Sequence, residues 1–423
     1  MASGSHSGYL YSQCSQSDQT LLTFISAIFL IFLTPLLLHW PGPIFKLRLG
    51  STVGVVVTSP SSARQILKEH GATFANRDWR MLRKVCVLTM LSNTTLDSVY
   101  ALRRKQLRQT FGHFYDRIGS WVNVGEAGLG AEFREVVSKM TELLGKPNVS
   151  DFYPGLAWFD LQGVVKRMGG LVRRFDGIFE KVIYQRLRID KEGEKEESNK
   201  DFLTCLLKLK EEGGDSKTPF TMTHLKALLM DIVVGGTDIS SNTTEFALAE
   251  IMNKPEMMEK AQQELEDVVG KHNIVEESHI NKLPYLQVVM KETLRLHLIL
   301  PLLIPRCPSE TCIVGGYTIP IGSWIFKTRL EFKPERFLDS KWGYNGKGFN
   351  YFPFGLGKSI CARIAMAERM VMHSLAKLLH SFDWKLQERE ELDLSEKFGI
   401  VLKKKIPLVA ILTPRLSDPA LYE

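Results

Sequence analysis

A glycine-rich loop with a single cysteine, residues 351–361, constrains the fold more than any other stretch of this chain. Its sequence is Tyr-Phe-Pro-Phe-Gly-Leu-Gly-Lys-Ser-Ile-Cys, and an apolar helical pattern follows it directly. Glycines permit backbone angles and close approaches that a side chain would forbid. The free N–H groups and the positive dipole end of the following helix favour an ionised sulfur. The pattern indicates that Cys361 is a metal-bound thiolate, although a cysteine without such neighbours is more often a small core residue.

The loop resembles the haem-binding loop of the cytochrome P450 family, in which phenylalanine, glycine, arginine, cysteine and glycine recur at fixed intervals. Phe354, Gly357 and Cys361 fit that spacing. Ser359 stands at the position of the arginine, and Arg363 stands at the position of the last glycine. The resemblance implies that Cys361 ligates the iron of haem b and that Phe354 and Gly357 belong to the cofactor-binding loop.

Length and composition limit the class of protein and its partners. The chain has 423 residues, of which 44% are hydrophobic, enough for one large domain or two ordinary ones. The net charge of +7 suits an anionic membrane face or an acidic protein partner. No basic run is interleaved with aromatic residues, so nucleic acid is not predicted as a partner. The six cysteines are scattered, which disfavours a disulfide scaffold.

An apolar segment near the N-terminus predicts a membrane anchor. Residues 21–38 are mostly Leu, Phe, Ile and Ala, just long enough to span a bilayer core as a helix. A cleaved signal peptide would need a basic start, yet the first basic residue is Lys46, beyond the segment. Because basic residues follow the segment and none precedes it, the positive-inside rule predicts three parts. These are a lumenal segment 1–20, a transmembrane helix over 21–40 and a cytosolic catalytic domain over 41–423.

A tryptophan and an arginine, Trp79 and Arg83, are spaced to share one face of a helix. On their own they also fit a packed tryptophan beside a solvated arginine. In the P450 family, residues of these types at this place reach the haem propionates, and Arg306 lies where relatives often place a further propionate ligand. The resemblance therefore implies that Trp79, Arg83 and Arg306 bind the cofactor.

The longest helical pattern covers residues 225–253 and contains Gly235 and Gly236 in its interior. Two interior glycines cost about 2 kcal/mol in helix propensity, which indicates close backbone packing or a kink. A ligand plane lying against the helix would explain that cost. The stretch resembles the oxygen-binding helix of the family. The resemblance implies that Gly236, Thr237 and Asp238 are catalytic and that Asp238 helps to deliver protons. Ile239 stands where the family has threonine.

Glu292 and Arg295 lie three apart on a predicted helix over residues 282–297. Taken alone, such a pair is a commonplace surface ion pair of little energetic value. In the family, the glutamate and the arginine instead join a buried network with a later arginine. Arg336 supplies that later residue in the right order.

Together the motifs imply a predominantly α fold with small β-sheets, the cytochrome P450 fold, plus an N-terminal transmembrane helix. Short strands are predicted within 45–58, with a turn at Gly50-Ser51, and within 398–402 and 407–411, and residues 315–322 are predicted to form a hairpin with glycine turns. Ser59 and Pro60 predict the start of a helix. The implied activity is insertion of one oxygen atom from O₂ into an apolar terpenoid or phenolic plant metabolite at the endoplasmic reticulum membrane. Electrons would come from an NADPH-dependent P450 reductase, and the chain itself has no dinucleotide-binding fingerprint.

Three substitutions and three shortened stretches favour a second hypothesis, a catalytically impaired or dead membrane-anchored relative. Ile239 removes a hydroxyl, Ser359 loses a charge-assisted hydrogen bond to a propionate, and Arg363 brings bulk and charge into a tight space. The shortened stretches lie after the anchor, between Asp78 and Trp79, and within 324–331. A membrane scaffold without a cofactor is the third alternative.

Overall fold

The computed structural model describes most of the chain beyond the predicted anchor. The described residues are 44–57, 59–70, 73–75, 86–87, 91–123, 131–192, 201–212, 214–215, 218–300, 308–320, 324–326, 343–344, 351, 353–355, 357, 360–386, 392–397 and 399–422. The predicted segments 1–20 and 21–40 lie outside them, as do Trp79, Arg83, Arg306, Arg336 and Ser359. Within the described part of the chain, no helix has both the length and the apolar character needed to cross a bilayer.

Helices dominate the described residues, as the sequence predicts. In chain order they are α1 (Pro60–Arg64), α2 (Asn93–Ser98), α3 (Tyr100–Tyr115), α4 (Ala131–Leu144), α5 (Val149–Phe152), α6 (Val164–Glu192), α7 (Phe202–Glu211), α8 (Met222–Met252), α9 (Pro255–Val269), α10 (Glu277–Ile280), α11 (Pro284–Leu296) and α12 (Ile364–Ser381). The predicted helices over 225–253 and 282–297 are confirmed as α8 and α11, with small shifts at their ends.

The strands form small sheets around this helical body. They are β1 (Ile44–Leu49), β2 (Thr52–Val57), β3 (Trp121–Asn123), β4 (Gly214–Asp215), β5 (Thr218–Pro219), β6 (Cys312–Val314), β7 (Tyr317–Ile319), β8 (Trp324–Phe326), β9 (Phe382–Lys385), β10 (Glu396–Lys397), β11 (Lys403–Lys404) and β12 (Val409–Pro414). Strand β2 pairs with β1 antiparallel and with β8 parallel, and β12 lies between β3 and β9. Both predicted hairpins are confirmed, with left-handed glycines in the turns at Gly50 and at Gly315-Gly316.

One strand prediction was wrong. Residues 399–402 form bends between β10 and β11 rather than a strand. Val401 and Leu402 are buried against Phe246 of α8 and Ile299, which follows α11. The Leu402 N–H donates to the Ile299 carbonyl at 2.8 Å. The backbone therefore turns inward to bury two consecutive side chains, whereas a strand would send them to opposite faces.

Two apolar cores meet along helix α8. In its C-terminal half, residues 242–251 are buried, and this half joins α9, α11 and α12 in one core, through residues such as Leu248, Leu265, Val289 and Leu375. Its N-terminal half joins α4, α6 and α7 in a second core, through residues such as Val136, Phe175, Leu206 and Leu225. The glycine-containing middle of α8 lies between these two cores, so its position is fixed from both ends.

The Glu292–Arg295 pair is buried, which excludes the surface interpretation. Arg295 Nε donates to Glu292 Oε2 at 2.6 Å and Nη2 donates to Oε1 at 2.9 Å. The two side chains are 0% and 7% exposed. A planar guanidinium that binds both oxygens of a carboxylate fixes the rotamers of both side chains, so the pair sets the geometry at the C-terminal end of α11.

The replacement Arg295→Leu is expected to lower the free energy of unfolding by about 3 to 5 kcal/mol, since Glu292 would keep a buried charge without its arginine. Chemical denaturation followed by circular dichroism measures this change. Glu135→Gln is the control, because the Glu135–Lys139 pair of α4 is about half exposed and should contribute at most about 0.5 kcal/mol. Equal small effects for both variants would contradict a structural role for the buried pair.

Candidate functional site

The cysteine loop folds back on itself through its own backbone. The Cys361 N–H donates to the Phe354 carbonyl at 2.9 Å, and the Ile360 N–H donates to the Gly357 carbonyl at 3.1 Å. Gly355 and Gly357 have φ values of 75° and 65°, in the left-handed region. The requirement for glycine that the sequence predicts is therefore met at both positions.

Gly357 also brings this loop close to another part of the chain. A Cβ atom built there would lie 2.1 Å from the carbonyl oxygen of Leu67. Leu67 belongs to a single wide helical turn, Gln65–Glu69, that continues α1. The loop is thus pressed against the α1 segment, and only a residue without a side chain fits between the two backbones.

The sulfur of Cys361 lies at the start of helix α12. Cys361 is half-buried, and its Sγ accepts the backbone N–H of Arg363 at 3.4 Å. Arg363 is the N-cap residue of α12. Because backbone donors at a helix start favour negative charge, this position suits a thiolate ligand.

Phe354 anchors the other end of the loop. Its ring packs against the core formed by α8, α9, α11 and α12. It also meets the ring of Tyr344 edge to face, with centroids 5.4 Å apart and planes at 84°. Nearby, the buried Tyr351 hydroxyl donates to the Lys291 carbonyl of α11 at 2.9 Å. These contacts tie the loop to the helical body, so the position of the cysteine follows from core packing.

Across from the cysteine loop, the guanidinium of Arg363 lies against the backbone of α8. Its Nη2 donates to the Asp231 carbonyl at 2.6 Å, and its Nη1 donates to the Ile232 carbonyl at 3.2 Å. A Cβ atom at Gly235 would lie 2.5 Å from Nη1, whereas one at Gly236 would meet no atom of a described residue within 4 Å. The space predicted for a flat ligand beside Gly235 therefore holds an arginine side chain.

Asp238 lies on α8 but is engaged on a different side of the helix. It is buried, and its Oδ2 accepts the Thr141 hydroxyl at 2.6 Å and the Lys403 ammonium at 2.7 Å. These contacts join α4, α8 and β11. Thr237, the neighbouring residue, is half-buried and its carbonyl accepts the Ser241 hydroxyl at 3.0 Å. The structure thus places Asp238 in an ion pair and does not bring it to Cys361.

Ile239 borders an apolar group that we call the Phe246 cluster, formed by Phe246, Ile299, Val401 and Leu402. Ile239 is partly buried against it, as are Leu300 and Ile400. An apolar side chain is well accommodated here, which explains why isoleucine is tolerated at this position.

A buried histidine that the sequence pattern did not single out supports the same region. His297 Nε2 lies 2.7 Å from Glu250 Oε1, and Nδ1 lies 2.7 Å from Glu396 Oε1. Its ring stacks on Phe246, with centroids 4.2 Å apart. Burial lowers the pKa of His297, but its hydrogen bonds to the two glutamates outweigh burial and raise the pKa above the ordinary value. No local sequence pattern predicts these partners of His297, since they lie 47 and 99 residues away in the chain.

Comparison with known proteins gives one consistent family. The family model described as Cytochrome P450 matches residues 118–410. A flavonoid 3'-monooxygenase of Crocosmia x crocosmiiflora is 36% identical over 90% of this chain and 87% of its own length. A geraniol 8-hydroxylase of Swertia mussotii and a carnosic acid synthase of Salvia pomifera are each 34% identical over 88% of this chain and 87% of their own. The chain belongs to the cytochrome P450 family.

Solved structures agree on the fold. A zebra fish cytochrome P450 with progesterone superposes with a TM-score of 0.68 at 18% identity, covering 90% of this chain and 99% of that one. The structure of a zebra fish cytochrome P450 with abiraterone gives a TM-score of 0.63 at 21% identity, covering 93% and 98%. The fold is therefore the largely helical P450 fold, as the sequence predicts.

Proteins of this family bind haem b, and relatives named above are monooxygenases, which are oxidoreductases. The match to the flavonoid 3'-monooxygenase runs over 450 aligned positions, more than the 423 residues of the whole chain. Some aligned positions of that relative therefore have no residue here. This agrees with the expectation that internal stretches are shortened.

The described residues fit haem on the cysteine side only. A lone thiolate suits an iron whose other ligands come from a porphyrin, and the Cys361 loop has the backbone shape for it. On the α8 side, the Arg363 guanidinium fills the space beside Gly235. Ala362, Ala365 and Met366 pack in the same core as residues 232–234 of α8. A porphyrin and the Arg363 side chain cannot share that space, so the arrangement of this side chain does not fit the cofactor.

The replacement Gly357→Ala is expected to destabilise the chain by more than about 1 kcal/mol, the cost of a left-handed alanine, because a clash with Leu67 adds to the strain. Denaturant unfolding monitored by tryptophan fluorescence measures the loss. Gly316→Ala is the matched control, because Gly316 also has a positive φ, 82°, but a Cβ there meets no atom within 4 Å among the residues that the structure describes. A loss no greater than that of the control would show that the close approach to Leu67 does not matter.

Proposed function

We propose that this chain is a haem-dependent monooxygenase that inserts one oxygen atom from O₂ into an apolar plant secondary metabolite, a terpenoid or a phenolic compound. The observation that carries the proposal is the folded Cys361 loop at the start of α12, with its two left-handed glycines. When haem is bound there, it supplies the activation of O₂, and a thiolate ligand donates electron density to its iron.

The proposed roles of the other residues follow from the family pattern. Cys361 holds the iron, Phe354 and Gly357 shape the loop, and Trp79, Arg83 and Arg306 bind the propionates. Gly236, Thr237 and Asp238 form the catalytic stretch of α8. Among the described residues, Thr141 and Lys403 both donate to Oδ2 of Asp238. Oδ1 is therefore the atom through which Asp238 would exchange a proton.

The Phe246 cluster supports an apolar substrate. Its own members are buried, and the partly buried Ile239, Leu300 and Ile400 that pack against it give this side of α8 an apolar surface. Among the relatives, the name geraniol 8-hydroxylase indicates a terpenoid substrate and the name flavonoid 3'-monooxygenase a phenolic one. A small apolar molecule would gain from burial at this surface.

An exposed apolar patch between α5 and α6 supports placement at the endoplasmic reticulum membrane with a single-pass anchor. Trp158 is 94% exposed and Phe159 is 70% exposed. Tyr153 and Leu161 are exposed on the same connection, and Val165 is exposed in the first turn of α6. Large apolar side chains exposed together in this way mark interaction surfaces, and tryptophan favours the membrane–water interface. A membrane-bound NADPH-dependent reductase is the proposed electron donor.

Haem content and the carbon monoxide difference spectrum test the proposal. The reduced, carbon monoxide-treated full-length protein is expected to show the red-shifted Soret band of thiolate-ligated haem. Cys361→Ser should abolish that band, whereas Cys205→Ser should keep it, because Cys205 lies in α7, outside the loop. Iron-free, folded protein without the band would overturn the proposal and favour a scaffold without cofactor.

A second candidate function is supported by specific observations: an impaired or inactive membrane-anchored relative that keeps the fold. Arg363 fills the space beside Gly235. Ile239 replaces the hydroxyl that family members carry and packs against the Phe246 cluster instead. A chain with these two features would bind haem weakly and would release reduced oxygen species rather than product.

The replacement Ile239→Thr is expected to raise the amount of product formed per NADPH consumed, because it returns a hydroxyl to α8 at the family position. Product and NADPH are measured together in a reconstituted assay with reductase and a panel of terpenoids and flavonoids. Ile239→Val, which changes the size of the side chain without adding a hydroxyl, is the control. Equal ratios for both variants would remove Ile239 from the explanation of impaired turnover.

A further inference from the structure

We infer that Arg363 is an internal competitor for the haem site: its side chain closes the space beside Gly235 in the cofactor-free chain and must leave that space before a porphyrin can lie against α8. The inference rests on the proposed function, since it concerns the same site. The Arg363 side chain would thereby control how readily the cofactor binds.

Arg363 is anchored at both sides of the site at once. Its backbone N–H donates to Cys361 Sγ at 3.4 Å, and its guanidinium donates to the carbonyls of Asp231 and Ile232. The side chain thus runs from the thiolate loop to the backbone of α8. Haem ligation by Cys361 requires a porphyrin in the region that this side chain crosses, so binding of the cofactor and the arginine contact exclude each other.

The backbone of α8 leaves room for the guanidinium at Gly235. With glycine at 235, the Nη1 atom approaches to 2.5 Å of where a Cβ would stand. Within the described part of the chain, a Cβ at Gly236 meets nothing within 4 Å, so the close contact is specific to the face of α8 that carries Gly235. Carbonyl oxygens have a second lone pair, so those of Asp231 and Ile232 can accept the charged donor in addition to their helical hydrogen bonds.

Competition of this kind lowers the apparent affinity for the cofactor. If haem binds only when the Arg363 side chain has left the space beside Gly235, its apparent dissociation constant equals the intrinsic constant divided by the fraction of chains in that open arrangement. Charge-assisted hydrogen bonds to two carbonyls favour the closed arrangement. The side chain is flexible and long, so it can swing away without unfolding either helix. Loading would therefore be slow or weak and would not be structurally impossible.

The first experiment titrates hemin into the cofactor-free full-length protein in detergent. Arg363→Ala is expected to bind hemin at least about tenfold more tightly than the unmodified chain, as judged by the Soret band and by quenching of tryptophan fluorescence. Arg369→Ala is the matched control, because Arg369 lies on the same helix and pairs with Asp97 rather than with α8. Adding Cys361→Ser to the Arg363→Ala variant should abolish the thiolate signature and thereby identifies adventitious hemin.

The second experiment needs no cofactor and compares the two glycines of α8. Gly236→Ala should raise the melting temperature of the cofactor-free chain, because alanine favours a helix and the space is open. Gly235→Ala should raise it by less, since the new Cβ displaces the guanidinium from the Asp231 and Ile232 carbonyls and those hydrogen bonds are lost. In the Arg363→Ala background, Gly235→Ala should raise the melting temperature as much as Gly236→Ala does.

The outcomes separate this inference from the proposed function. Equal or weaker hemin binding by Arg363→Ala, with a thiolate signature in the unmodified chain, overturns the inference and leaves the proposed function standing. Weaker binding would specifically show that Arg363 helps to hold a propionate. Absence of thiolate-ligated haem in both proteins overturns both proposals, whatever the melting temperatures show. Equal effects of Gly235→Ala and Gly236→Ala in the unmodified chain would show that the guanidinium does not occupy the space.

Discussion

The contact between the start of helix α12 and the backbone of helix α8 is the interaction on which the site depends. Helix α8 is fixed from both ends, since its C-terminal half is buried in one core and its N-terminal half in another. The cysteine loop is fixed by its own hydrogen bonds and by its close approach to Leu67. What remains adjustable between these two rigid parts is a side chain, and in this chain that side chain is Arg363.

The fold and the chemistry of this protein are therefore maintained by different residues. The buried Glu292–Arg295 pair and the helical cores hold the P450 architecture and do not include the guanidinium that fills the site. Substitutions at the site can alter cofactor binding while the fold persists, which is the general relation between a scaffold and a site placed on it. This separation explains how a chain can match its family over most of its length and still carry a side chain in the cofactor space.

The polar contacts of Asp238 and His297 hold structural elements in position, and they do not place either side chain at Cys361. Lys403 binds Asp238 and thereby joins β11 to α8, while His297 joins α8 to β10 through Glu250 and Glu396. Both sets of contacts hold the β10–β11 hairpin against α8, and residues 399–402 turn inward between these two strands. The Phe246 cluster is the apolar result of that turn. A partly buried ion pair such as Lys403–Asp238 constrains geometry even where its net contribution to stability is small.

The sequence by itself determined the elements whose causes are local. Glycine spacing fixed the turns at Gly50 and Gly316, the Ser59–Pro60 pair fixed the start of α1, and apolar periodicity fixed α8, α11 and α12. Only the tertiary structure decided the destination of the Arg363 guanidinium, the partners of Asp238 and the bent course of residues 399–402. These depend on contacts between residues as much as 165 positions apart in the chain. The sequence pattern around a long flexible side chain does not indicate which distant carbonyl it will contact, because the packing of the helices determines which carbonyls lie within reach.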